Sequence, residues 1–246
     1  MVTLVDLGAE FWRNALGGKE PLKGYETTLD TLDYLRRADR ANRTVVCGDS
    51  PRSIRRETHP VYKSNRTPKP QPAVEALCGV IARVRDWGMP LVIVDGWEAD
   101  DVICTLCNQA WPEDVRIVGS EKDFFCLIDE RVTLLGRQGP IGINACRDKF
   151  GVAPSQMTDW LALVGDTADC IPGCDSCGPV RATDLLERFG SIAGIAEATD
   201  AEILQIRGVG AKTLAGLRAF VAGPTLDMLR MRDDLPIVLT DILGET

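Results

Sequence analysis

The chain has 246 residues, 45% hydrophobic and 26% charged, an ordinary make-up for a globular protein of one α/β domain with a helical appendage, or of two small domains. A single histidine, His59, excludes a His-based triad or a multi-His metal site, so chemistry has to rest on carboxylates, lysine, arginine and metal. The net charge of −8 runs against the basic face usual in nucleic-acid proteins, and only the placement of the acids can reconcile the two.

The start, Met1-Val2-Thr3-Leu4-Val5-Asp6, has no basic n-region and carries an acid in its apolar stretch, which argues against a signal peptide and for a cytoplasmic location. Short β-branched runs predict strands at Thr3–Val5, Thr44–Val46, Leu91–Val94, Val115–Val118 and Val132–Leu135. All are too short to span a membrane. Helical patterns fall between them, at about Thr27–Arg40, Ala73–Trp87 and Ala99–Trp111. The alternation predicts a mostly parallel central sheet with helices on both faces over residues 1–146. From about Arg147 the strand signals fade and helix–Gly–helix punctuation takes over, so 147–246 is expected to form a smaller helical domain.

One segment, about 50–72, breaks the alternation. It carries Arg52, Arg55, Arg56, Lys63, Arg66 and Lys69 with Tyr62 and several prolines, and reads either as a solvated loop or as a strand-binding arm. In Phe11-Trp12-Arg13 a ring could stack on a displaced base or belong to a helix core. Two CxxC pairs, Cys104/Cys107 and Cys174/Cys177, raise the question of zinc or redox chemistry. The first lies in an apolar helical pattern and the pairs are far apart, so core cysteines are the preferred reading.

The acids cluster by position. Asp6 and Asp49 follow the first two strands; Glu98, Asp100 and Asp101 follow the third; Glu121 and Asp123 follow the fourth. In an open parallel sheet these strand ends share one edge, where ligands bind. Seven carboxylates so close repel one another unless protons or cations intervene, and all-oxygen ligands select Mg²⁺ or Mn²⁺. Asp166 and Asp169, three apart, would close the cage from the second domain. Asp95 nearby reads as solvated surface. The nine acids of the cage account for more than the whole net charge and leave the remainder at +1. In the second domain, Gly208-Val209-Gly210-Ala211-Lys212-Thr213 reads as a plain helix–helix connection or as a hairpin whose exposed N–H groups and Lys212 hold a phosphate.

These residues resemble bacterial and phage 5′ nucleases of the flap-endonuclease superfamily, above all the 5′-nuclease domain of bacterial DNA polymerase I, through nearly the whole chain. Glu98-Ala99-Asp100-Asp101 looks like the EADD signature, and Gly165-Asp166-Thr167-Ala168-Asp169-Cys170-Ile171-Pro172-Gly173 like the GDxxDNIPG segment, with Cys170 in place of the usual Asn. Tyr62-Lys63-Ser64-Asn65-Arg66 is similar to the YKxxR motif, and Leu4-Val5-Asp6 and Cys47-Gly48-Asp49 match the early aspartates. Where the family usually has Asp-x-Asp, this chain has Glu121-Lys122-Asp123; where it has a glycine-rich hairpin and Lys-Thr, this chain has Cys174 to Cys177 and a displaced Arg181.

The resemblance implies a PIN-like α/β fold with a basic helical arch and a C-terminal helix-hairpin-helix (H3TH) domain. It implies a structure-specific 5′-3′ exonuclease or flap endonuclease, monomeric, acting on flapped, nicked or branched DNA in replication or repair; with no polymerase portion in the sequence, a free-standing nuclease beside a separate polymerase or ligase is expected. Asp6, Asp49, Glu98 and Asp100 would serve one metal, with Asp101 bridging or supporting; Asp123, Asp166 and Asp169, with Glu121, would serve a second. Lys63 and Arg66 would act on the scissile phosphate, Arg52, Arg181 and Lys212 would bind DNA, and K⁺ would sit near the 173–178 hairpin. Two rival readings stay open: a junction-binding protein that cuts poorly or not at all, and a toxin-type RNA nuclease.

Overall fold

Alternation of side chains along the strands decides which helices lie on which face. Leu4, Val45 and Ile117 point to one side of the sheet and their neighbours Val5, Val46 and Val118 to the other, and all six are buried. The computed structural model describes all residues except 39–42, 120, 137, 222, 224, 245 and 246. Six strands form one sheet: β1 (Val2–Asp6), β2 (Thr44–Cys47), β3 (Leu91–Val92), β4 (Val115–Val118), β5 (Val132–Gly136) and β6 (Gly139–Ile141). Their order is β3-β2-β1-β4-β5-β6; the first five run parallel and β6 returns antiparallel to β5.

Thirteen α-helices occur among the described residues. Those of the sheet region are α1 (Leu7–Asn14), α2 (Pro21–Ala38), α3 (Ile54–Thr58), α4 (Gln71–Asp86), α5 (Ala99–Gln109) and α6 (Ile143–Phe150). The rest are α7 (Met157–Val164), α8 (Pro179–Phe189), α9 (Ile192–Glu197), α10 (Asp200–Ile203), α11 (Ala211–Phe220), α12 (Thr225–Leu229) and α13 (Leu239–Leu243). Helices α1, α2 and α4 cover one face through Phe11, Leu32 and Val80. On the other face lies α5, through Val102, Ile103 and Leu106, in a core that continues into the helical region through Met157, Leu161 and Leu185. Burial of that core is the main stabilising term. Among the described residues no helix is long and apolar enough to cross a membrane.

The five expected strands are present, although β3 ends two residues early. The last two positions of the helix expected at Thr27–Arg40, 39 and 40, lie outside the described residues. The expected basic arch is short: α4 already begins at Gln71, and in the segment before it only α3 is helical. Its N-cap Ser53 accepts from the Arg56 amide, and the rest is turn and extended chain. This segment is a strap pressed onto the sheet edge, because Arg55 and Tyr62 are buried beneath it.

All nine cysteines are free thiols. Cys104 and Cys107 are core residues of α5, and burial pushes the Cys104 thiol up to about 12, so it stays protonated. Among the described residues the one group of acids or thiols close enough to share a metal contains no cysteine.

Candidate metal centre

The sheet order places β1 between β2 and β4, so their following loops open onto one crevice, the ligand position of an open α/β sheet. Asp6, the last residue of β1, caps α1: its Oδ1 accepts from the Ala9 amide at 2.8 Å. Asp49 Oδ1 accepts from the Ala99 amide at 2.9 Å, which ties the end of β2 to the start of α5. Glu98 is the N-cap of α5, and Asp100 lies in its first turn. A cavity of about 410 Å³ is lined by Asp6, Asp49, Glu98, Asp100, Glu121, Asp123 and Asp169, so seven of the nine expected acids share it.

Asp123, Asp166 and Asp169 form a second focus, each offering one oxygen within 4.8 Å of the others. Asp166 and Asp169 are held by a tight turn in which Asp166 and Ile171 exchange both backbone hydrogen bonds, at 2.9 and 2.8 Å. Gly165, at φ 81°, makes the turn possible, since a Cβ there would fall 2.5 Å from the Gly173 nitrogen. Oδ1 of Asp123 is buried and has no hydrogen-bond partner. An unpaired buried carboxylate oxygen is costly. A divalent cation relieves that cost, and an all-carboxylate donor set suits a hard ion, so the residues present fit a metal.

The charges in the cavity shape one another. Burial and then Asp49 push the Asp6 carboxyl well above the usual range. Burial, against Arg55 and with Asp101 and Glu98 adding to it, raises Asp100 to about 7. Burial and then Asp169 raise Asp123 to about 6. Glu98 goes the other way: burial opposes ionisation, but Lys63, Tyr62 and Arg55 outweigh it and hold the carboxyl low.

A raised folded pKa means that the folded state binds more protons than the unfolded one between about pH 4 and 7, so stability falls as pH rises through that window. The metal-free protein is therefore expected to melt several degrees higher at pH 5.5 than at pH 8, and saturating Mg²⁺ or Mn²⁺ should flatten the difference. Calorimetric melts in EDTA and in metal check this; a metal-free Tm that rises with pH would contradict the crowded-carboxylate picture.

The strap supplies the counter-charge. Lys63 Nζ lies 2.7 Å from Glu98 Oε1 and 4.0 Å from Asp169, and Arg66 Nη2 lies 2.5 Å from Asp169 Oδ1. Tyr62 donates to Glu98 Oε2 at 2.8 Å, and the Lys63 amide donates to the Asp169 carbonyl at 2.8 Å. Lys63 itself is left-handed at φ 54°, strain retained where the surroundings over-determine the backbone.

Cys170 is also left-handed, at φ 56°, and occupies the position where the resembled family usually has asparagine. Asparagine tolerates that region better than most side chains. Cys170→Asn is expected to stabilise the chain by about 0.5–1 kcal/mol, read as a rise of roughly 1–3 °C in Tm.

Several expected roles fall elsewhere. Asp101 does not reach the cavity: one step along a helix turns a side chain by about 100°, and its carboxylate is committed to Arg55 at 2.8 and 2.5 Å. Asp166 does not line the cavity either, but joins Asp123 and Asp169 and pairs with Lys122 at 2.8 Å. Arg52 pairs with Glu57 and Asp95, which removes the isolated charge expected of a DNA contact. Arg181 bridges the two hairpins, donating to the Ser176 carbonyl at 2.5 Å and the Gly208 carbonyl at 2.9 Å. Lys212 is exposed at the start of α11, where its charge faces solvent. Phe11 is core, whereas Trp12 lines the cavity with Lys69 Nζ 4.0 Å from its ring centroid. Sequence reasoning gave no separate role to Arg55, Lys69 or Lys122; composition marked the first two as basic, and only burial and pairing set them apart.

A carboxylate-rich pocket lies at a parallel sheet edge, under a strap of cations, and its donor set suits hard divalent ions. The sequence matches the family model "5′-3′ exonuclease, N-terminal resolvase-like domain" over residues 13–151 and "5′-3′ exonuclease, C-terminal SAM fold" over 152–240. The chain belongs to the 5′-3′ exonuclease family. DNA polymerase I of Deinococcus radiodurans is 33% identical over 222 residues, 84% of this chain and 23% of that protein. A 5′-3′ exonuclease of Aquifex aeolicus is 32% identical over 183 residues, 70% of this chain and 63% of that one. The chain thus spans about a quarter of that polymerase. A bacteriophage T5 flap endonuclease, solved as a pseudo-enzyme-product complex with DNA and metal ions, shares the fold at a TM-score of 0.73. It is 21% identical, over 99% of this chain and 92% of that one.

Proposed function

We propose that this chain is a structure-specific 5′ nuclease that hydrolyses DNA phosphodiesters at flaps, nicks or branches with two divalent cations, Mg²⁺ or Mn²⁺. The observation that carries the reading is the unpartnered, buried Asp123 oxygen inside a three-carboxylate cluster, beside a cavity lined by further acids and roofed by Lys63 and Arg66. One cation would be held by Asp6, Asp49, Glu98 and Asp100, and the other by Asp123, Asp166 and Asp169 with Glu121. Such ions supply an activated water and charge stabilisation for the attacking and leaving oxygens.

The chain's own groups do the rest. Lys63 and Arg66 draw the scissile phosphate over the acids and stabilise the charge that develops on it. Trp12, at the cavity wall, offers a face on which a base can stack. The hairpins before α8 and α11 present backbone N–H groups and Lys212 to the duplex phosphates. The products are a 5′-phosphate and a 3′-hydroxyl. The Ser176 carbonyl already accepts from Arg181, so the 173–178 hairpin carries a cation of its own and fits K⁺ less well than the resemblance implies. A cytoplasmic monomer working with a polymerase or ligase activity in replication or repair agrees with this chemistry.

The test is cleavage of a 5′-labelled single-flap duplex in Mg²⁺, Mn²⁺ or EDTA. Cutting near the junction in either metal, abolished by EDTA, supports the proposal. Tight flap binding without cutting in either metal would leave a junction-binding protein instead.

A further inference from the structure

Arg55 is the one arginine of the strap that is buried, and its guanidinium joins three parts of the chain far apart in sequence. It forks onto Asp101 of α5 with both terminal nitrogens, at 2.8 and 2.5 Å, and donates to Glu98 Oε2 at 3.1 Å and to the Arg230 carbonyl at 3.0 Å. Asp101 is fully buried, and each of its oxygens accepts twice. Oδ1 takes Arg55 and the Arg232 amide, and Oδ2 takes Arg55 and the Glu98 amide. The segment beyond Arg230 then runs along α5, with Thr105 accepting from the Leu235 amide and Gln109 from the Leu239 amide. Glu98 Oε2 is shared between Arg55 and Tyr62, so the strap and the cavity wall meet at one oxygen.

We infer that Arg55 and Asp101 are a positioning pair, touching neither substrate nor metal, that sets the strap's Lys63 and Arg66 against the acids of the cavity. With both oxygens saturated, Asp101 has no lone pair left for a cation. A bidentate Arg–carboxylate pair fixes orientation as well as distance, which a single contact does not. Small displacements of catalytic groups cost rate more than binding, and duplex binding falls to the hairpins of the other domain. The inference rests on the nuclease reading for its effect on rate, and on the structure alone for its effect on the strap.

The experiment compares wild type, Arg55→Lys, Asp101→Asn and the double variant in three assays: flap cleavage in Mg²⁺ with the folded fraction measured by circular dichroism, Mn²⁺ binding, and chymotrypsin cleavage after Tyr62. Each single variant is expected to lose roughly 30–100-fold in kcat per folded molecule, with KM within about threefold. The double variant should be no worse than the worse single one. The number of bound Mn²⁺ ions should not change, and cleavage after Tyr62 should quicken in all three. Unchanged kcat per folded molecule would reduce the pair to a stabilising contact and overturn the inference. So would loss of a Mn²⁺ ion in Asp101→Asn but not in Arg55→Lys, which would make Asp101 a ligand. If wild type does not cut flaps, the nuclease reading fails on its own; the proteolysis still decides the pair, because an unchanged rate after Tyr62 would overturn it.

Discussion

Asp100→Ala is expected to lower the flap-cleavage rate by about a thousandfold or more while leaving the metal-free protein more stable than wild type. The two effects share a cause. Asp100 is held close to Asp101 and Glu98, and burial with those like charges raises its carboxyl to about 7. Removing it relieves repulsion that a proton or a bound cation otherwise has to offset. Arg55 keeps its fork on Asp101 and its bond to Glu98, so no buried charge is left alone. Steady-state cleavage of a labelled flap and calorimetric melts in EDTA measure the two halves. A variant that cuts within tenfold of wild type would remove Asp100 from the metal site.

The second large effect is expected at Lys63. Its ammonium lies 2.7 Å from Glu98 and 4.0 Å from Asp169, in the cavity lining, where it would meet a phosphate drawn in by cations held on the acids. Lys63→Ala removes a cation aimed at developing charge, a contact type worth about 10²–10³ in kcat. KM should change little, because most phosphate contacts lie elsewhere. The same change should raise the affinity for Mn²⁺, since the ammonium no longer competes for Glu98. A loss confined to KM would instead assign Lys63 to ground-state binding.

Much of this arrangement was legible in the residues. Alternating β-branched runs and the acids after them defined the sheet and its ligand edge, because strand-end position follows directly from strand assignment. The antiparallel β6 was not, since Gly139-Pro140-Ile141 has no alternation to read. Asp100 and Asp101 are adjacent in sequence, and which of them faces the cavity depends on where α5 begins. The cap at Glu98 fixes that, and Asp101 then turns toward Arg55. Positive charge at Arg52 and Arg181 was visible, but their partners were not. Asp95 is 43 residues from Arg52, and Gly208 is 27 from Arg181. Tertiary pairing of that kind leaves no local signal.

Among the acids of the cavity, Asp49, Asp6 and Glu121 follow three strands that are immediate neighbours, β2, β1 and β4. Hydrogen bonding fixes the lateral spacing of such strands at about 4.8 Å, and ions that cooperate across one phosphate sit roughly 3.5–4 Å apart. The pleated backbone is therefore a ruler graduated close to the scale of the chemistry. Asp6 stands on its strand while Asp49 and Glu121 lie just past theirs, so the strands set the scale and the short loops the final spacing, and a lengthened arm such as Glu121 moves one mark on that ruler and leaves the others in place.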